Sequence, residues 1–199
     1  QLLCLPLAFI GIIDDKLNIS PKIRYVIQLF TAVVCLAYNH HIFDATKNIG
    51  TTHLCLLIIF FIIFITAIIN FTNFMDGLDG LIGGCFLLIF GNMLVNGDNS
   101  LIPLLGALSG FLIWNWNPAK IFMGDVGSTF IGALFAFKIF SFYSVYEAFA
   151  YLLISIPILG DAFICLIRRI VNRQKIFQSH KLHLYQRLHQ AGWEHWKVS

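Results

Sequence analysis

Long apolar runs separated by short polar turns make up most of the chain. These runs are Leu2–Ile13, Tyr25–Tyr38, Leu54–Ile69, Leu81–Val95, Leu101–Trp114, Thr129–Tyr143 and Ala148–Ile167. A helix needs about 20 residues to cross a membrane, and each of the last six runs approaches that length if it extends by a turn into its flanks. The pattern therefore predicts an all-α fold: a polytopic transmembrane helix bundle with about six full spanning helices after a partial N-terminal one.

The first run, Leu2–Ile13, is too short to be a span. At a rise of about 1.5 Å per residue it covers roughly 18 Å, whereas the hydrocarbon core is about 30 Å thick. It also has no basic segment or cleavage site typical of a signal peptide. We expect it to be the end of a longer helix, and residues 1–199 to be one integral-membrane domain shortened at its N-terminus, with its C-terminal end left open.

Composition supports the membrane class. The chain is 58% hydrophobic and 12% charged, with a mean hydropathy of +0.80, whereas soluble domains carry about 25% charged residues. The alternative is a soluble protein in which two or three runs are core helices. The number of runs and their near-absence of charge disfavour it.

The basic residues lie almost entirely on one side of the predicted bundle. If successive runs cross the membrane, Asp14, residues 70–79, residues 115–127 and the tail from residue 168 share a side. Every Lys and Arg except Lys47 and Lys138 falls on that side. An excess of basic residues marks the cytoplasmic side, so we expect the polar motifs to lie on the cytoplasmic face.

The first motif is a pair of adjacent carboxylates, Asp14 and Asp15, at the end of the first run. Neighbouring carboxylates repel, which raises a pKa or recruits a divalent ion. The pair is interpreted either as a cation or proton-transfer site or as a solvated helix end.

The second motif carries Asn70, Asn73, Asp76 and Asp79 at three-residue spacing. In a continuous helix the first three would line one face. Oxygen ligands at this density suit a hard cation such as Mg2+. The alternative is a polar loop that caps helices.

The third motif runs from Asn115 to Ser128 and places Asp125 between two glycines. Glycine amides before a helix can cradle phosphate. Lys120 can pair with a diphosphate, and Phe122 can stack on a planar base. The Gly-Lys-Ser/Thr ending of a P-loop is absent.

The tail from His180 to His189 forms a fourth motif, in which His183 and Arg187 would share a helix face. Contact with phosphate is favoured over a metal pair, because no third ligand accompanies the histidines.

Asp161 lies in an apolar run and marks either a functional site or a structural pair. The set is typical of metal-assisted phosphoryl transfer, with no nucleic-acid signature.

The order of these motifs resembles the polyprenyl-phosphate N-acetylhexosamine-1-phosphate transferases. The matching stretches are Asp14-Asp15-Lys16, Asn70-x-x-Asn73-x-x-Asp76-Gly-Leu-Asp79-Gly, Phe122-Met-Gly-Asp125-Val-Gly-Ser, and the histidine-bearing tail. That family includes bacterial enzymes that begin O-antigen and teichoic-acid synthesis and the phospho-N-acetylmuramoyl-pentapeptide transferase. The resemblance covers nearly the whole chain.

The resemblance implies transfer of HexNAc-1-phosphate from UDP-N-acetylhexosamine to undecaprenyl phosphate, with release of UMP. It implies Mg2+, with Mn2+ as an alternative, in the bacterial inner membrane with the active site facing the cytoplasm; a homodimer is left open. The implied metal ligands are Asp125 and Asn73. The implied catalytic residues are Asp14, Asp15, Asp76 and Asp79, and the implied substrate-binding residues are Asn70, Asn115, Lys120, Phe122, His183 and Arg187.

The tail departs from one pattern of the family. Relatives that act on GlcNAc often read His-x-His-His, whereas this chain reads His183-Leu-Tyr185-Gln186. This resembles a subgroup that uses modified sugars such as N-acetylfucosamine, in an O-antigen-like pathway. The alternatives are the same chemistry with GlcNAc or MurNAc-pentapeptide, and a non-catalytic membrane transporter, which the clustering of carboxylates at one face disfavours.

Overall fold

Helices make up the secondary structure that this computed structural model describes. The described residues are 2–17, 19–39, 42–43, 46–174 and 183–198, without the side chains of Asp15, His195 and Trp196. The α-helices are α1 Leu5–Leu17, α2 Pro21–Tyr38, α3 Thr51–Phe74, α4 Leu81–Val95, α5 Ile102–Asn115, α6 Gly124–Ser141, α7 Val145–Ile154, α8 Ile156–Val171, α9 Leu184–Gln190 and α10 His195–Val198. Short 3-10 helices cover Leu2–Cys4 and Asn99–Leu101.

The chain divides into two compact units. The first unit comprises Gln1–Asn73 and Gly124–Leu152, and the second comprises Phe74–Met123 and Leu153–Ser199. The chain passes from the first to the second at the end of α3, which is also the middle of the second motif.

Helix α6 is the centre of the first unit. The six consecutive residues from Ile131 to Ala136 are all buried, and six residues cover every face of a helix. A helix that is apolar all round belongs inside a bundle. Helix α1 packs along α6 over many residues, and α2 also contacts both helices. At Gly132 a Cβ would lie 3.0 Å from the Cα of Ile69, so α3 also approaches α6 closely.

The core of the second unit is formed mainly by α4, which packs against α5. Phe86, Phe90 and Met93 are fully or almost fully buried. At Gly83 a Cβ would lie 2.9 Å from the side chain of Leu112, so the two helices are in direct contact. This packing holds the polar loops on either side of the pair, residues 75–80 and 116–123, next to each other.

The helices lie at the apolar runs but extend beyond several of them, most of all α6, which begins at Gly124 and not at Thr129, and α3, which ends at Phe74 and not at Ile69. Helix α4 coincides with the predicted run Leu81–Val95. The run Ala148–Ile167 is not one helix, because the chain breaks at Ser155 into α7 and α8. Pro157 lies in the first turn of α8. Proline has no N–H to donate and clashes with the preceding turn, so it begins a helix and does not continue one.

Helix α3 has the length and composition of a membrane span. Its most apolar 18-residue window has a mean hydropathy of 3.0 and is 22% buried. Large apolar side chains such as Leu56, Phe60 and Ile63 are exposed on its surface. Helices α7 and α8 together count as a second candidate if the pair is one broken span. The structure is consistent with a helical membrane protein, and the number of six spans stays a prediction.

Candidate functional site

A close helix crossing begins the site of the first unit. A Cβ at Gly11 would lie 2.5 Å from the Cα of Val126, so the backbones of α1 and α6 touch at this point. Only a residue without a side chain permits this approach. Asp14 follows Gly11 by three residues on α1, and Asp125 precedes Val126 at the start of α6. The crossing therefore brings two predicted site residues from distant parts of the chain to one place.

Arg24 joins these two carboxylates. Its Nη1 atom lies 2.9 Å from Oδ2 of Asp14 and also pairs with Oδ2 of Asp125. Asp14 is 9% exposed, and its other oxygen accepts a hydrogen bond of 2.7 Å from the backbone N–H of Ile19. The two aspartates thus converge on one nitrogen atom. The sequence pattern indicated no role for Arg24 beyond its place among the basic residues of the predicted cytoplasmic face.

Asn73 completes this group of side chains. Its Nδ2 atom donates to Oδ1 of Asp125 at 2.9 Å and to the hydroxyl of Ser128 at 2.9 Å. That hydroxyl in turn donates to the carbonyl of Gly124 at 2.8 Å. We call Asp14, Arg24, Asn73, Asp125 and Ser128 the carboxylate cluster. It contains both residues that the resemblance implies as metal ligands.

The donor chemistry of the carboxylate cluster fits Mg2+. Two carboxylates and one guanidinium leave one formal negative charge, and the carboxylate oxygens converge on a single position. Mg2+ prefers oxygen ligands and is usually held by one or two carboxylates together with substrate phosphates and waters. Within the described ranges, three or more Asp, Glu, His or Cys residues do not group together. The protein would therefore supply only part of the coordination shell.

The other amide of the second motif is used differently. Asn70 donates from Nδ2 to Oε1 of Gln28 at 2.7 Å and to the carbonyl of Thr66 at 2.8 Å. This amide pair ties α3 to α2 one turn before Asn73. The expectation that residues 70, 73 and 76 line one helix face is wrong, because α3 ends at Phe74. The substrate-binding role of Asn70 stays a prediction.

In the second unit, Asp79 and Asn115 tie two loops together. Oδ2 of Asp79 accepts hydrogen bonds of 3.1 Å from Nδ2 of Asn117 and from the N–H of Ala119. Asn115 is buried; it accepts from the N–H of Gly80 at 3.0 Å and donates to the carbonyl of Ile121 at 2.8 Å. The second and third motifs therefore share one hydrogen-bonded platform, which fixes the loop that carries Phe122.

Lys120 and Phe122 lie on the surface of this platform. The ammonium group of Lys120 lies 5.1 Å from the ring centroid of Trp114, within the range of a cation–π contact. Phe122 is 75% exposed. An exposed ring on a loop held at both ends is available to stack on a planar ligand.

Tyr185 connects the fourth motif to the second. Its hydroxyl donates to the carbonyl of Phe74 at 3.2 Å, and a Cβ at Gly77 would collide with the same hydroxyl. Burial raises the pKa of Tyr185 to about 12, and the charges of Asp76 and Asp161 act in the same direction. The phenol therefore keeps its proton at any physiological pH. Asp76 thus lies near the start of the tail helix, which the spacing of the sequence did not reveal.

His183 is buried immediately before α9. Its ring stacks on Tyr185 with centroids 5.7 Å apart, and Nδ1 lies 3.8 Å from Oδ2 of Asp161. Burial lowers the pKa of His183, Asp161 acts in the opposite direction, and Arg169 lowers the pKa further. A buried imidazole with a lowered pKa is neutral at pH 7.

Arg187 lines a small basic cavity. The cavity has a volume of about 220 Å3 and is also lined by Arg168, Arg169 and Asn172. Three guanidinium groups around one cavity favour phosphate oxygens, which arginine binds through paired N–H donors. The side chain of Asp15 and residues 180–182 of the fourth motif lie outside the described residues.

Arg24 and Tyr185 were missed as site residues, whereas Asp161 had been singled out as either a functional site or a structural pair. Arg24 follows Asp14 by ten residues across a short turn between α1 and α2, and such a turn places the adjoining helix ends side by side. That spacing was the available signal. Tyr185 gave none, because its partners are a backbone carbonyl and a glycine more than 100 residues earlier.

Taken together, the molecule is an apolar helical protein that presents the carboxylate cluster in one unit and an arginine-lined cavity in the other. Comparison with known proteins then identifies the family. Residues 1–145 match glycosyl transferase family 4. A Bacillus subtilis protein described as a probable undecaprenyl-phosphate N-acetylglucosaminyl 1-phosphate transferase is 33% identical over 203 residues, which cover 94% of this chain and 56% of that protein.

Two further relatives support the same assignment. A Saccharolobus solfataricus protein described as a putative UDP-N-acetylglucosamine--dolichyl-phosphate N-acetylglucosaminephosphotransferase is 33% identical over 141 residues, covering 64% of this chain and 44% of that protein. The phospho-N-acetylmuramoyl-pentapeptide-transferase of Streptococcus mutans is 56% identical over 36 residues, covering 18% of this chain and 11% of that protein. The chain belongs to the polyprenyl-phosphate N-acetylhexosamine-1-phosphate transferase family, as its motifs predicted. It spans about half the length of the first two relatives.

Proposed function

We propose that this chain forms part of an enzyme that transfers HexNAc-1-phosphate from a UDP-sugar to undecaprenyl phosphate. The observation that carries the proposal is the convergence of Asp14 and Asp125 on one position, with Asn73 beside them. These residues come from three separate motifs of the family. Their meeting at one place gives the motifs a common chemical purpose, which is to neutralise and position phosphate groups.

The proposed metal is Mg2+, held by Asp125 and Asn73 with Asp14 adjacent. When bound there, a divalent cation would offset the negative charge of the donor diphosphate. Arg24 supplies a permanent positive charge at the same place and keeps both carboxylates oriented. Phosphoryl transfer depends mostly on such positioning and charge stabilisation, with little covalent chemistry for the protein.

The proposed nucleophile is a phosphate oxygen of the lipid carrier. It attacks the phosphorus that bears the sugar, a new P–O–P bridge forms, and the bond to the UMP phosphate breaks. A phosphate monoester has a second pKa near 6, so the carrier is mostly dianionic at neutral pH. Asp14, at the end of α1, is placed to orient the carrier phosphate or to hold its residual proton, and Asp15 is assigned the same role.

The proposed donor site uses residues of the second unit. Phe122 is exposed for stacking on uracil, and the hydrogen bonds of Asp79 and Asn115 hold its loop in place. Arg187, with Arg168 and Arg169, offers a cavity suited to phosphate oxygens. Lys120, next to this loop, would add a further positive charge. Asp76, beside Tyr185, remains a proposed catalytic carboxylate.

The donor is proposed to be a UDP-N-acetylhexosamine. The stretch His183-Leu-Tyr185-Gln186 favours a modified sugar such as N-acetylfucosamine, in cell-envelope polysaccharide synthesis. Two relatives are described as N-acetylglucosamine-phosphate transferases, which favours GlcNAc, and a third is described as a phospho-N-acetylmuramoyl-pentapeptide-transferase. We further propose that the protein lies in the bacterial inner membrane with its motifs facing the cytoplasm, on the strength of the basic residues on that side.

The test is release of UMP by the purified full-length protein with undecaprenyl phosphate, Mg2+ and a panel of UDP-sugars. Asp125→Asn should lower turnover by about 100- to 1,000-fold, the range for losing one group that stabilises charge in the transition state. Asp98→Asn is the matched control, because Asp98 lies in the loop after α4, outside the proposed site. Failure of every UDP-sugar to give lipid-dependent UMP release would overturn the proposal, and so would equal rates for the two variants.

A further inference from the structure

The start of helix α9 is held by a carboxylate from another helix. Helix α9 is seven residues long, and isolated helices shorter than about 12 residues are marginal in water. Its stability must therefore come from contacts with the rest of the second unit. Two hydrogen bonds in the part of the chain that the structure describes supply such contacts. The hydroxyl of Tyr185 donates to the carbonyl of Phe74, and the N–H of Leu184 donates to the carboxylate of Asp161.

Asp161 binds the first N–H of α9 with both of its oxygens. Leu184 N donates to Oδ1 at 3.0 Å and to Oδ2 at 2.9 Å. The first N–H groups of a helix have no partner within the helix. A carboxylate at this position satisfies one of them and also opposes the positive end of the helix dipole.

The position of Asp161 makes this contact informative. Its side chain is 14% exposed, and it projects from α8, which is otherwise apolar from Ile156 to Ile167. A carboxylate in such surroundings is costly unless it is paired. The N–H of Leu184, which donates to both carboxylate oxygens, offsets part of this cost. The question left open by the sequence, a functional or a paired aspartate, is thereby answered in favour of pairing.

The contact also fixes the geometry of Arg187. The N–H of Arg187 donates to the carbonyl of His183 at 3.0 Å. This bond closes the first turn of α9, which begins at the hydrogen bonds between Leu184 and Asp161. Arg187 and Asp161 line one small pocket together with Leu184 and Arg168. The backbone that carries Arg187 is thus held relative to α8 through Asp161.

We infer that Asp161 is a positioning residue: it tethers the start of α9 to α8 and so holds His183 and Arg187 in their working orientation. The tether is a property of the fold, whereas its effect on turnover rests on the proposed transferase function. In this proposal Asp161 acts on the reaction through the residues it places.

Hydrogen exchange on the full-length protein tests the tether without using activity. In Asp161→Ala, the amides of residues 184–190 should exchange about 10- to 100-fold faster, the factor that corresponds to loss of a hydrogen bond to a charged group. Asp161→Asn keeps the volume and one acceptor oxygen, so its increase should be smaller. This second variant also gives a result if Asp161→Ala does not fold.

Kinetics test the consequence for the reaction. Asp161→Ala should raise KM for the UDP-sugar by about tenfold, because Arg187 is misplaced, and leave KM for undecaprenyl phosphate unchanged. Asp161→Asn should recover part of the donor affinity. Glu194→Gln is the matched control, since the ion pair of Glu194 with Lys197 is exposed, and such pairs contribute little.

The outcomes distinguish a failure of the inference about Asp161 from a failure of the proposed transferase function. Unchanged exchange over residues 184–190 in Asp161→Ala would overturn the tether. Faster exchange with unchanged donor KM and kcat would overturn the positioning role. A wild-type protein that releases no UMP with any donor would count against the proposed function, while the exchange result would still support or overturn the tether.

Discussion

Replacing Gly11 by alanine would separate the two helices that carry the carboxylate cluster. The new Cβ would lie 2.5 Å from the Cα of Val126. Two carbon atoms are best packed at about 3.5–4.0 Å, so the backbones must move apart by about 1 Å. No flexible side chain can absorb this shift, because the atom opposite is backbone. The shift would act directly on Asp14 and Asp125, which flank the contact.

The expected loss of stability is modest. Overpacking of this kind costs about 1–3 kcal/mol, and the higher helix propensity of alanine returns about 1 kcal/mol. The net change is about 0–2 kcal/mol of destabilisation, which corresponds to a fall in Tm of a few degrees in a chain of this size. The expected loss of turnover is larger, because a displacement of about 1 Å at a reacting site can cost roughly 100-fold.

The assay pairs thermal unfolding with UMP release for two glycine variants. Gly106→Ala is the control, because Gly106 lies inside helix α5 and a Cβ there meets no atom within 4 Å. This control should keep wild-type turnover and a Tm equal to or above that of the wild type. Gly11→Ala should stay folded and lose most of its turnover.

Two results would refute the reasoning. Wild-type turnover in Gly11→Ala would mean that the contact between α1 and α6 does not govern the site. Equal loss of turnover in Gly11→Ala and Gly106→Ala would mean that the effect is a general one of adding a methyl group to an apolar helix.

Three further predictions concern single residues. If Asp14 holds the carrier's residual proton, the loss of turnover in Asp14→Asn should shrink from about pH 6 to 9, because the carrier phosphate loses that proton unaided. If Asp14 only positions the carrier, turnover should fall by the same factor at every pH. Wild-type rates throughout would contradict both roles. Phe122→Ala should raise KM for the UDP-sugar by about tenfold or more, the value of base stacking on an aromatic ring, and a change confined to KM for the lipid would refute the assignment. In a cysteine-free background, an impermeant thiol reagent should label Phe122→Cys only from the cytoplasm and Asp98→Cys only from outside, and the reverse pattern would overturn the topology.

The local chemistry of each motif was readable from the sequence, because it depends on residue type and short spacing. The paired carboxylates after Gly11 and the glycine-flanked Asp125 indicated a cation and phosphate site. The family resemblance carried by these motifs is confirmed by the comparisons. The apolar runs located most helices to within a few residues, since a long continuous run admits few other structures in an apolar chain.

The breaks in helices were less predictable. The run Ala148–Ile167 gave no clear signal of the break at Ser155 other than Pro157, and proline either starts a helix or bends one. The spacing of Asn70, Asn73 and Asp76 suggested a continuous helix, yet α3 ends at Phe74. Spacing by three is compatible with a helix but does not require one.

By itself, the sequence determined the class of this protein and its family, and it indicated the residue types proposed to meet phosphate and metal, because composition and motif order are properties of the chain. Tertiary structure decided which of those residues act together. Arg24 became part of the carboxylate cluster because α1 and α6 cross at Gly11, and Asp161 became an anchor because α9 begins beside α8. Arg24 lies 101 residues from Asp125, and Asp161 lies 23 residues from Leu184; helix packing sets the distances between them, which no local pattern records.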